Sequence, residues 1–395
     1  MSIWDEKLLG DFCAEITVGF VGTQSKFFVN QGIPLIRGQN VKEYELDLSE
    51  PKFIPAEIHE GWKKSKLVGG DIVIVRVGYP GTAAVIPENF GDCNCASVVI
   101  VRTKKQELNP YFATYFINSP KGKAQISGML VGSAQQVFNA TAAKTLKLPV
   151  PPIDVQNKVI DVLDKYTLLI KNNNRRIAIL EEMAQSLYRE WFVNFRYTVH
   201  KDNLDADGNQ KLVDSPLGKI PGGWEVHRLK DTSSMKYGKI SKKALRCEEG
   251  IPIYSGYRVT GYYPEANLNE SKVIIVARGV GGTGDVKMSP DQCWLTNLSI
   301  YLVENENLLR KTYLYFQLKS GNLRSLDSGT SISQITISDL GTHQILVPPI
   351  ELQKGFEEHC NTIWSQIKVL NRKNENLKQQ RDMLLPKLIS GTIRL

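Results

Sequence analysis

Five segments of this 395-residue chain occur twice in the same order, and no other feature constrains its fold as tightly. Trp4, Leu9 and Asp11 of WDEKLLGDF fall on Trp224, Leu229 and Asp231 of WEVHRLKDT. GIPLIRGQNV at 32–41 falls on GIPIYSGYRV at 250–259, and DIVIVRVGYPGT from Asp71 falls on SKVIIVARGVGGTG from Ser271, with Arg76 over Arg278. Gly132 and Ser133 then fall on Gly329 and Thr330, and VPPIDVQ from Val150 falls on VPPIELQ from Val347 at an offset of 197 that continues to the C-terminus. One match could be chance, but five in order require internal duplication. The chain therefore reads as unit, helix, unit, helix, with each mixed unit about 150 residues long.

Within each unit, β-branched runs at 72–77 and 98–101, and at 273–276 and 298–303, are bounded by Gly, Pro and Asn, as strands are. Asn109 and Pro110 have the chemistry of an N-cap and first helical residue for a helix through Ile117, and 313–318 takes the matching place. The segment HKDNLDADGNQKLVDSPLGKIPGG has a surface linker's composition.

After each VPPI, apolar residues recur at alternating spacings of four and three, the pattern of a coiled-coil seam. The first seam is Val159, Leu163, Tyr166, Ile170, Asn173, Ile177, Leu180, Ala184, Leu187 and Trp191; the second is Phe356, Cys360, Ile363, Ile367, Leu370, Asn374, Leu377, Arg381, Leu384 and Leu388. Antiparallel pairing with Val159 opposite Leu388 sets Asn173 against Asn374, a polar layer that would fix the register. Residues 159–191 as a helix span roughly 50 Å, longer than the ~34–36 Å between half-sites read on successive turns of DNA.

The net charge of +8 favours a polyanionic partner only modestly, because residues 1–150 hold 16 Lys and Arg against 14 Asp and Glu and no segment reads as a basic block. The six cysteines are scattered, and Cys93 with Cys95 has no second pair at zinc-site spacing. No run of 18 apolar residues and no signal-peptide pattern is present, so a cytoplasmic protein with no membrane partner is expected.

The duplicated units, the heptad helices, the junction SPLGKIPGGWEVHRL at 215–229, VPPI-x-x-Q, LYREWFVNFRY from Leu187 and the closing LISGTIRL together resemble the specificity subunits of type I restriction-modification systems over essentially the whole chain. The resemblance implies an α+β protein in which two duplicated target-recognition domains are each followed by a long helix, the helices forming an antiparallel coiled coil with pseudo-two-fold symmetry. The boundaries expected are 1–152 for the first recognition domain, 153–197 for the central helix, 198–223 for the linker, 224–349 for the second domain and 350–395 for the last helix. It further implies a sequence-specific, non-catalytic reader of bipartite double-stranded DNA serving DNA methylation and host defence. Its expected partners are two adenine methyltransferase subunits and the restriction (translocase and nuclease) subunits. No cofactor is expected on this chain, while the complex would use S-adenosylmethionine, ATP and magnesium.

The residues agree that the chemistry lies elsewhere, and no catalytic or metal-ligating residues are assigned. Asn109-Pro110-Tyr111-Phe112 approaches a methyltransferase loop but lacks the second proline, and it reads better as a helix start. Gly279, Gly281, Gly282 and Gly284 follow a strand without a helix signal, so a hairpin tip is a better reading than a phosphate cradle. For DNA contact, the candidates are polar residues in the recurring loops, since loops beside Gly and Pro carry function. In the first unit these are Arg37, Gln39, Asn40, Arg76, Tyr79, Thr82, Ser133, Gln135 and Gln136; in the second, Ser255, Tyr257, Arg258, Arg278, Thr283, Thr330, Ser331, Ser333 and Gln334. Arg can grip guanine and Gln or Asn adenine with paired bonds, whereas hydroxyls mostly hold phosphate.

Overall fold

The structure is a computed structural model and describes residues 3–130, 137–197, 204, 207–208, 211–256, 258–279, 282–327 and 333–395. It divides into two compact units, Met1–Arg175 with Leu370–Leu395, and Arg176–Val369.

In the first unit, a four-stranded antiparallel sheet runs in the order Cys13–Val18, Val98–Thr103, Ile72–Val75, Ala83–Val85. Its central strands are uninterrupted apolar runs because both faces are covered. Ile72, Ile74, Val99 and Val101 point into one core, and Val73, Val75, Val98 and Ile100 into another. A smaller sheet sets Ile33–Arg37 between an antiparallel Phe53–Ile54 and a parallel Cys93–Ala96.

The second unit repeats this plan. Ser233–Tyr237, Ser299–Glu304, Val273–Val276 and Val286–Met288 form the four-stranded sheet in the same order. Ile251–Ser255 lies between Arg258–Tyr263 and a parallel Trp294–Leu295. Even the bonds leaving the first strand coincide: Gly19 N donates to Val98 O and Phe20 N to Cys95 O, as Gly238 N does to Ser299 O and Lys239 N to Leu295 O. In each head a short strand near the start, Glu6–Leu8 or Glu225–Arg228, pairs with the strand before VPPI, Lys147–Pro149 or Gln344–Val347.

The VPPI-x-x-Q glutamines explain their motif. Gln156 is fully buried; its Nε2 donates to Pro151 O at 2.8 Å and Glu107 O at 2.9 Å, and its Oε1 accepts from Asn109 N at 2.8 Å. Gln353, also fully buried, bonds Pro348 O, Leu308 O and Arg310 N at 2.8, 2.9 and 2.9 Å. One amide thus ties the start of each long helix, Ile153–Tyr188 or Ile350–Ile389, to the head before it.

The long helices pack together in both units. In the first, Val159 and Leu163 share a core with Leu385 and Leu388, so the start of one helix lies against the end of the other. In the second, Ala184 and Tyr188 share a core with Phe356 and Cys360. Every seam residue read from the sequence is buried or half-buried. In the first unit Asn173 Nδ2 donates to Asn374 Oδ1, and Asn374 Nδ2 to Asn174 Oδ1, both at 2.8 Å. Asn374 is 5% exposed, so its amide would face hydrocarbon in a slipped register.

The first helix ends in a π-helical turn, Arg189–Val193, closed by Asn194 N donating to Arg189 O at 2.8 Å. A wider turn lets adjacent Trp191 and Phe192 both reach the second unit's core, where Phe192 meets Trp224, Tyr313 and Phe356. LYREWFVNFRY is therefore an aromatic anchor. Within the expected linker lies a hairpin, Leu212–Ser215 with Gly218–Pro221, whose turn is closed by Ser215 Oγ donating to Gly218 O.

Candidate nucleic-acid interface

In the first unit the recurring loops meet. Gln39, Tyr79 and Thr82 border one depression of about 540 Å³ between the ends of Ile33–Arg37 and Ile72–Val75. Gln39 is exposed and Tyr79 is 77% exposed, so both can reach a polyanion lying over the loops. Arg37 and Asn40 have another task. Asn40 is buried; its Oδ1 accepts from Arg37 N (3.1 Å) and Nε (3.3 Å), and its Nδ2 donates to Asp47 O at 3.0 Å. Arg37 also donates to Glu50 O at 3.2 Å and lies 5.7 Å from the Phe28 ring, and burial lowers its pKa. These two brace the loop that carries Gln39. Ser133, Gln135 and Gln136 lie outside the described residues.

Arg76 is half-buried, its Nε donating to Phe138 O at 3.3 Å. The alignment of Arg76 with Arg278 is corrected by the backbone. Phe138 N donates to Arg76 O and Ile335 N to Ala277 O, so Arg76 corresponds to Ala277 and Arg278 lies one residue further on. A one-residue slip turns a strand's side chain to the other face, so the two arginines do not share a direction. Arg278 forms a bridge with Gln334.

Other candidates of the second unit are also engaged within the fold. Thr283 is buried, its Oγ1 donating to Gly279 O at 3.1 Å, and the glycine-bearing segment connects the antiparallel strands Val273–Val276 and Val286–Met288 as a hairpin. Ser333 Oγ donates to Asp327 at 2.5 Å, Gln334 N to the same carboxylate at 2.8 Å, and Ser255 Oγ accepts from Thr296 at 3.1 Å. Arg258 is exposed, while Tyr257, Thr330 and Ser331 lie outside the described residues.

A basic loop in the second unit, beyond the residues 1–150 whose charges nearly balance, corrects the reading that no segment is a basic block. Lys236, Lys239, Lys242, Lys243 and Arg246 are all exposed, with no acid anywhere in 236–246. The backbone holds them in place: Lys239 O accepts from Trp294 Nε1 at 3.2 Å, and Lys243–Leu245 is a 3-10 turn. A charge sum over an eleven-residue window would have found this loop.

Residues 1–182 and 221–382 match the family described as Type I restriction modification DNA specificity domain. The chain belongs to the type I restriction-modification specificity subunits. A putative specificity subunit of the type I enzyme MjaX from Methanocaldococcus jannaschii is 23% identical, over 99% of this chain and 94% of that one. The HindI specificity subunit from Haemophilus influenzae is 22% identical over the full length of both. The crystal structure of a type I S subunit from M. genitalium shares the fold with a TM-score of 0.55 and 17% identity, covering 98% of this chain and 96% of that one.

Specificity subunits are the non-catalytic, DNA-recognising component of such systems, and the apparent catalytic motif here has a structural role. Asn109 caps the helix Pro110–Asn118 by accepting from Tyr111 N at 3.0 Å, while its Nδ2 donates to Asn157 at 2.9 Å. Cys93 and Cys95 are buried, and burial pushes the Cys93 thiol up to about 12. Among the described residues no helix is long and apolar enough to cross a membrane.

Proposed function

We propose that each head of this specificity subunit reads one half of a bipartite DNA target and that the long helices dock adenine methyltransferase and restriction subunits. One observation carries the reading: the heads share a backbone frame down to individual hydrogen bonds, yet the side chains they expose at matching loops differ. Duplication preserved the frame while each reading surface took its own chemistry, as two different half-sites require. Gln39 and Tyr79 stand in the first head where a base edge or phosphate could be met, and Lys239, Lys242, Lys243 and Arg246 line the second. In this reading S-adenosylmethionine, ATP and magnesium serve the partner subunits.

The test is to co-express the chain with its methyltransferase in a methylation-free host and map methylated adenines by single-molecule sequencing. A bipartite motif with a fixed gap, lost when this chain is omitted, is the expected result. An uninterrupted motif, or one indifferent to this chain, would overturn it.

A further inference from the structure

The two units diverge sharply at one place where their frames coincide. In the first, Tyr44 sits at the tip of the hairpin formed by Val41–Lys42 and Glu45–Leu46, with a φ of +69° that non-glycine residues seldom adopt. Its N–H donates to Ala83 O at 3.0 Å, its ring lies 4.8 Å from that of Tyr115, and the Arg381 guanidinium lies 4.4 Å from its ring centre. Tyr44 thereby fills the cleft between the head helix Pro110–Asn118 and the long helices, with Glu43 and Glu45 on either side of it in sequence. Two smaller hollows, of about 280 and 200 Å³, are both bordered by Tyr44 and Glu45.

Among the described residues the second unit has no such plug, and Ile251–Ser255 pairs directly with Arg258–Tyr263. At the corresponding place it has an open cleft of about 560 Å³. The correspondence follows from strand register and chain offset: Val286 stands where Ala83 does, Tyr315 where Thr114 does, and Trp364 where Thr167 does. Tyr254, Tyr315 and Trp364 supply aromatic walls, with Tyr315 and Trp364 edge to face at 6.2 Å. Among the described lining residues Lys287, Lys319 and Arg324 stand with one carboxylate, Asp285, which pairs with Arg324 at 2.9 Å, so the formal charges of the lining are mostly positive.

We propose that this cleft is the docking site of a partner polypeptide presenting an aromatic side chain flanked by carboxylates. The molecule displays that chemistry in its own first unit, where Glu43-Tyr44-Glu45 occupies the same position in the frame. Aromatic walls seat a ring, and a cationic rim attracts the flanking acids. The proposal does not depend on either head reading DNA.

The probe is a fluorescent peptide of residues 40–48, NVKEYELDL, titrated into the full-length chain without partner subunits. Saturable binding is expected, at least tenfold weaker for the peptide with its tyrosine replaced by serine. It is expected to weaken at least as much for a Lys287→Glu/Lys319→Glu chain whose thermal midpoint matches the wild type. No saturable binding, or binding indifferent to either change, overturns the proposal. In the assembled complex, a photo-crosslinking residue at Asn322, on the cleft rim, should attach to a partner segment with Tyr or Phe beside Asp or Glu. Attachment to DNA alone, or to nothing, overturns it equally.

Discussion

The loop that follows the first strand of the four-stranded sheet is chemically opposite in the two heads. In the first unit, residues 19–31 carry a single cation, Lys26, and pack aromatically: Phe20 stacks on Trp62 at 3.7 Å, and Phe27 meets both rings edge-on. In the second, residues 238–249 carry Lys239, Lys242, Lys243 and Arg246, all exposed, ahead of Glu248 and Glu249. Both loops leave the sheet through the same pair of backbone bonds and return through a parallel strand. A duplicated frame thus holds while its solvent face changes, because the frame is set by buried strands and satisfied backbone groups whereas loop side chains meet only solvent or ligand.

Removing a glutamine clamp would test the shared part and should have the largest effect. Gln156→Leu and Gln353→Leu each leave two carbonyls and one N–H without their buried partner, and each should lower the urea unfolding free energy of its own unit by about 3 kcal/mol. Clearly unequal losses would break the equivalence of the two frames.

The divergent part is sharpened by substitutions at neighbouring positions. Gln39→Ala should weaken binding of the assembled methyltransferase by about 1–3 kcal/mol at one position of one half-site and leave the thermal midpoint unchanged. Asn40→Ala, which removes the loop's internal brace, should instead lower the midpoint and weaken all sequences alike. The reverse pattern would exchange their roles.

Smaller effects belong to the charged loop. Lys242→Ala and Lys243→Ala should each reduce the slope of log affinity against log salt by about 1, uniformly across sequences. Lys26→Ala in the first head should leave the slope nearly unaltered, since that ammonium lies 4.9 Å from the Phe27 ring in the aromatic cluster. Equal slopes for the two loops would remove the electrostatic contrast.

The seam asparagines give the smallest change in stability. Replacing Asn173 and Asn374 together by leucine should raise the first unit's stability by up to about 1 kcal/mol, because an amide pair gives way to apolar packing. Engineered cysteine pairs along the seam should then trap slipped registers absent from the wild type. A double variant that keeps a single register would assign the register to the apolar residues alone.

Most of the frame was legible in the sequence, and the site less so. The repeats, the seam and the facing asparagines rest on periodicity and spacing, which local sequence carries directly, and Asn109 was readable as a cap from its Pro110 neighbour. Exposure of Gln39 beside burial of Asn40 was not readable, since both are polar amides in one loop and only the position of Asp47 O decides which turns inward. The slip between Arg76 and Arg278 is of the same kind, because strand register is set by partners some sixty residues away.

The sequence by itself determined that the chain is duplicated, that each half ends in an amphipathic helix, and that two asparagines could meet in one layer. The tertiary structure alone decided which polar residues of the recurring loops are internal braces, and that Tyr44 closes in one unit a cleft that stays open in the other. The physical reason is that apolar periodicity records burial along a single element. The fate of a polar side chain depends instead on whichever backbone group or charge the fold brings to it from elsewhere in the chain.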